Sequence, residues 1–117
     1  MMRPPKSLTR LGGGLWVRLL VISDIDGLAR ITDPNLVNPW GMAAGPTTPL
    51  WINNNGADVS SLYTGGVRGS IPAIVGLNVA IPQGAPTGIV FNSTPGFPIT
   101  MGGATGPAAF ISTRRQA

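Results

Sequence analysis

The residues able to carry acid–base or metal chemistry are few. Asp24, Asp26, Asp33 and Asp58 are the four carboxylates of the 117-residue chain, which has no histidine, no cysteine and no glutamate. Without imidazole there is no Ser-His-Asp triad and no histidine-ligated zinc; without thiol there is no thiolate metal site and no disulfide framework. Each cluster that could still do chemistry fails on spacing. NNNGAD, at positions 53–58, offers oxygen side chains before a glycine, as a hard cation prefers. Its glycine comes fourth instead of sixth, however, Ala57 stands at a ligand position, and no glutamate closes the loop. The segment reads as a turn in which Asn and Gly take positive φ. SDIDG, at 23–27, fails the same way with Leu28 at the fifth position, and Asp24 and Asp26 are not a ready acid/base pair. GGATGP, at 102–107, leads into a proline and a short strand, not the helix N-terminus and lysine of a phosphate cradle. No GxSxG elbow occurs, and the sequon Asn92-Ser93-Thr94 reads as a turn. The sequence therefore assigns no catalytic, cofactor-binding or metal-ligating residue, and no cofactor.

The elements that would position any site must come from a single domain, since domains usually hold roughly 100 to 200 residues. Gly 17 and Pro 12 make helix a poor expectation, while 43% apolar content supplies enough to bury a core. The net charge of +4 sits at the ends: Arg3, Lys6, Arg10 and Arg18 precede residue 19, and Arg114 and Arg115 close the chain. Between them Arg30 and Arg68 face the four aspartates. A nucleic-acid surface needs clustered cations and stacking aromatics, so none is expected. Residues 1–18 read as a basic leader or remnant signal, disordered, with three glycines and Arg18 interrupting its apolar run. No apolar run approaches the about 20 residues of a membrane-spanning helix. Residues 114–117 are a tail.

From residue 19 the chain alternates short apolar runs with turn chemistry, the pattern of many short antiparallel strands. Strands are expected at 41–44, 50–53, 59–63 and about 71–75. A shift of 47 lays 39–64 onto 86–111 without a gap, with six identities: Pro39/Pro86, Gly41/Gly88, Thr47/Thr94, Ile52/Ile99, Gly56/Gly103 and Ala57/Ala104. Leu50/Phe97 and Tyr63/Phe110 match in kind. A four-stranded unit of this length suits a β-propeller blade. Crowding of the first strand by its neighbours would explain Gly41, Ala43 and Ala44, with Trp40 a packing wedge between blades and Trp51 and Tyr63 likewise packed.

TDPNLVNPWG at 32–41, followed by PTGIVFN at 86–92, resembles the start of a bacterial family of uncharacterised, predicted secreted β-propellers with NHL-like blades. The resemblance spans about residues 19–111. It implies an extracellular or periplasmic location for the full-length family and a protein or carbohydrate ligand, and it supplies no site residues. The expected fold is thus all-β, with antiparallel four-stranded propeller blades, incomplete at under two. The partial propeller covers 19–113, its units about 39–85 and 86–113. Such a fragment would leave a face and edges open and be marginally stable alone. The expected function is a truncated piece of a non-catalytic propeller scaffold or binding protein. The alternative is a fragment of a lactonase- or lyase-like propeller enzyme whose active site lies in missing blades.

Overall fold

The computed structural model describes residues 8–11, 14–17, 21–68 and 70–116. Every regular element among them is a β-strand, as the Gly and Pro punctuation dictates, and all sheets but one short pair are antiparallel. No helix among the described residues is long and apolar enough to cross a membrane. The chain divides into two compact units, Met1–Pro34 and Asn35–Ala117.

In the first unit, β1 (Leu8–Leu11) and β2 (Gly14–Val17) form an antiparallel hairpin. The rest of the basic leader at 1–18 lies outside the described residues. β3 (Ile22–Ser23) and β4 (Ile31–Thr32) pair in parallel, against the antiparallel expectation. Long parallel ladders need a crossover of a dozen or more residues. This one has only two residue pairs, so the loop at 24–30 suffices. It is tightened by the Leu28 amide donating to Ile25 O (3.2 Å) and the Ile25 amide to Ser23 Oγ (3.0 Å).

The second unit contains a four-stranded antiparallel sheet in chain order: β5 (Pro39–Ala43), β6 (Leu50–Asn54), β7 (Val59–Thr64) and β8 (Ala73–Ala80). The expected strands fall on these elements, with one real difference. The fourth strand begins two residues later than 71–75 and runs through Gly76, a break by composition alone. A bulge accounts for this: β7 advances from Ser61 to Tyr63 while β8 recedes from Asn78 to Ile74. The extra β8 residues include Gly76, whose missing side chain meets nothing within 4 Å.

β9 (Pro86–Phe91) opens the second sheet, and here the pairing departs from the gapless 47-residue alignment. β10 (Pro98–Met101) and β11 (Ala104–Pro107) form a hairpin of their own, and β9 pairs instead with β12 (Phe110–Arg114). Val90 lies opposite Ile111 as Ala43 lies opposite Trp51. The shift is 47 residues between the first strands (90 − 43) and 60 between the second (111 − 51), so the hairpin accounts for an insertion of 13. Leu50/Phe97 and Tyr63/Phe110 are therefore not structural equivalents. Gly102 and Gly103, at φ 59 and 82, form the two-residue turn of this hairpin; two successive positive φ angles are the type I′ geometry that glycine permits.

The loop after β8 holds three successive residues in the left-handed region: Gln83 (φ 67), Gly84 (φ 72) and Ala85 (φ 50). A Cβ there costs about 1–2 kcal/mol, whereas glycine adds about 0.4–1 kcal/mol of unfolded-state entropy. Ala85→Gly is accordingly expected to raise stability by roughly 0.5–1 kcal/mol, read as a higher urea midpoint at unchanged slope. An unchanged or lower midpoint would refute strain at this loop.

Candidate functional site

β5 and β6 carry the contacts to the second sheet. Gly41 of β5 lies so close to β9 that a Cβ on it would sit 2.7 Å from Thr87 O, 3.0 Å from Gly88 Cα and 3.1 Å from Ile89 N. Gly41 thus shows the crowding expected on the first strand; Ala44, expected to share it, is exposed and lies beyond the end of β5. At one end the joint is aromatic. Trp51 stacks on Phe110 with centroids 4.5 Å apart at 22°, and Phe91 meets Phe110 edge-on at 5.4 Å. Such geometry adds about 0.5–1.5 kcal/mol per pair beyond the buried area. Tyr63 is buried as expected, at 3% exposure. Trp40 is not: it is 55% exposed, because the register shift between Pro39 and Gly41 takes it out of the ladder.

At the other end the joint is polar. Asn53, Asn54, Ser60 and Ser61 are fully buried. Cross-strand partners share a sheet face, so the register Gly41↔Asn53↔Ser60 puts Asn53 and Ser60 on the side facing β9. Asn53 Nδ2 donates to Gly88 O (3.0 Å), Thr87 O (3.3 Å) and Ser112 Oγ (3.1 Å), and its Oδ1 accepts from Ser60 Oγ. On the opposite face Asn54 Nδ2 donates to Ser61 Oγ (2.7 Å), which also bonds Tyr63 Oη (2.7 Å). Asn54 Oδ1 has no hydrogen-bond partner.

The NNNGAD segment is thus only partly the turn its composition suggests. Asn53 and Asn54 end β6, and the turn covers 55–58. Positive φ falls on Asp58 (61°), not on the asparagines or Gly56. Gly56 is required for a different reason: a Cβ there would meet Val37 Cγ1 at 2.6 Å. Reflection about the turn pairs Asn53 with Ser60, so the seam was legible once the hairpin centre was placed. Which face it served was not.

Asp58 and Asp26 each have hydrogen-bond partners within their own unit. Asp58 Oδ1 accepts from the Ala85 amide (2.8 Å) and its carbonyl from the Ile81 amide (3.0 Å), tying the 55–58 turn to the loop before β9. Asp26 Oδ1 accepts from Thr32 Oγ1 (3.4 Å) in the other unit, where Asp33 is buried. Among the described residues no group of three or more carboxylates could hold a metal ion. Asn92, the sequon residue, is occupied within its turn. Its Nδ2 donates to Gly96 O (3.0 Å), Ala108 O (2.9 Å) and Thr94 O (3.3 Å), and its Oδ1 accepts from Thr94. The seam serines have amides and a phenol as partners, and through Asn53 and Ser112 the seam holds the two sheets together.

No family model and no solved structure matches the chain. It is 33% identical over 97 residues to "Uncharacterized protein R648" of Acanthamoeba polyphaga mimivirus. The match covers 83% of this chain and 24% of that protein, so the chain spans about a quarter of the relative's length.

Proposed function

We propose that residues 39–114 form one blade and the opening of the next in a non-catalytic β-propeller, a scaffold whose rim loops bind protein or carbohydrate. The observation that carries the reading is the backbone-to-backbone approach of β5 and β9 at Gly41. In a propeller, successive four-stranded sheets sit face to face around an axis, and their first strands are the most crowded. The order β5-β6-β7-β8, with β9 laid on β5 and β12 beside β9, supports that arrangement. The inserted β10/β11 hairpin then belongs to the rim. The resemblance to predicted secreted propellers extends the proposal to an extracellular or periplasmic location, and cations confined largely to the chain ends argue against nucleic-acid binding.

A ring needs some 4 to 8 blades, and repeat units bury their faces only against neighbours. Sedimentation velocity on the 117-residue chain tests this: self-association that grows with concentration is expected, because among the described residues β8 and β12 end their sheets as unpaired edges. A monomer that melts in one cooperative transition would overturn it. Turnover of a lactone or eliminative cleavage of a polysaccharide by the chain would remove the non-catalytic part.

A further inference from the structure

The Asn55-Gly56 pair is the chain's one Asn-Gly sequence, the dipeptide most prone to succinimide formation because glycine puts no Cβ in the path of ring closure. Three hydrogen bonds hold it. The Asn55 amide donates to Asn38 O (3.1 Å), the Gly56 amide to Val37 O (3.0 Å), and Asn55 Nδ2 to Pro86 O (3.2 Å). The nucleophile of the ring closure, Gly56 N, and the leaving group, Asn55 Nδ2, are thus both engaged. The labile glycine cannot be exchanged freely either, since a Cβ at 56 would strike Val37.

We propose that Asn55 is a deamidation site whose rate is set by opening of the clip formed by residues 35–38 over the 55–58 turn, and whose product loosens β9 from the first sheet. On opening, Gly56 N loses its proton and attacks Asn55 Cγ. The Cγ–Nδ2 bond breaks and ammonia leaves, giving a succinimide. Water then opens either imide carbonyl, to aspartate or to isoaspartate with the main chain running through the side-chain carboxyl. Aspartate puts a carboxylate oxygen where Nδ2 donated to Pro86 O, and isoaspartate loses the donor as well, since its Cγ becomes the main-chain amide and its free carboxylate moves to Cα. The bond that ties the turn to the start of β9 is lost in both and in the aspartate becomes a repulsion.

The test is peptide mapping by mass spectrometry of the whole chain, incubated at mildly alkaline pH with and without denaturing urea. The one-dalton gain should localise to Asn55 and accumulate at least about tenfold more slowly in buffer than in urea, because opening must precede attack. Val37→Ala should speed the reaction in buffer and leave the rate in urea unchanged. Equal rates for the parent chain in the two solvents, or a gain first at another asparagine in urea, would overturn the site. The consequence is read separately by hydrogen exchange on Asn55→Asp: protection of the Gly56 and Ala85 amides should fall about tenfold or more. Parent-like protection would overturn the loosening.

Discussion

Gly41→Val lowers the urea midpoint by about 1–3 M, a loss of about 3 kcal/mol at a slope of about 1–3 kcal/mol/M. The size follows from what the new atoms meet. All three nearest neighbours of the first added carbon, at 2.7, 3.0 and 3.1 Å, are main-chain atoms of β9. A crowded side chain can change rotamer, but a strand can only move as a body, and moving β9 pulls Asn53 off its acceptors and parts Trp51 from Phe110. Gly41→Ala should lose less, and Gly76→Ala, in open space, should stay within about 0.5 kcal/mol of the parent. A parent-like midpoint for both Gly41 variants would mean that β5 and β9 do not touch, and the blade-on-blade reading would go with it.

Asn53→Asp has the second large effect, and it depends on pH. The substitution keeps the shape but puts an oxygen where Nδ2 donates to Thr87 O, Gly88 O and Ser112 Oγ. At neutral pH the new carboxylate is buried against two carbonyls, and a loss of about 3 kcal/mol or more is expected. Protonation restores one donor. Burial and the facing carbonyls raise the folded-state pKa of the introduced carboxyl above its unfolded value of about 3.9. The variant therefore comes nearest the parent at and below that unfolded pKa, and it falls away as pH rises through the folded one. The quantity to measure is the stability difference between variant and parent at each pH, which cancels titration of the other groups. A pH-independent difference would sink the assignment of Nδ2 as the donor. Asn53→Ala, which also strands Ser60 and Ser112, should lose a similar amount at every pH.

Much of the first sheet was legible because local chemistry and pairing agree there. Pro and Gly end each apolar run, and the connections are short enough to force neighbours to pair antiparallel. Trp51 and Tyr63 were placed correctly as packing residues. Trp40 was not, because a bulge changes which way a side chain points without leaving a mark in composition. The second sheet was misread for a related reason. Matching Gly and Pro positions made the 47-residue shift look gapless, yet β10 and β11 had each other as nearer partners, and β9 had to wait for Phe110–Arg114. Identity between turns does not fix which strands pair.

The residue types alone determined that this protein lacks an imidazole or thiol for chemistry and that its described regular structure is β. Both follow from inventory and from the conformations that glycine and proline permit or forbid. Only the tertiary structure decided that Asn53 and Ser60 form a joint and not a loop, that Gly41 is small because β9 lies against it, and that Gly56 answers to Val37 instead of to φ. Those outcomes depend on contacts between positions from 7 to about 60 residues apart in the chain. No local preference encodes such contacts, because their energy exists only once the two surfaces have met.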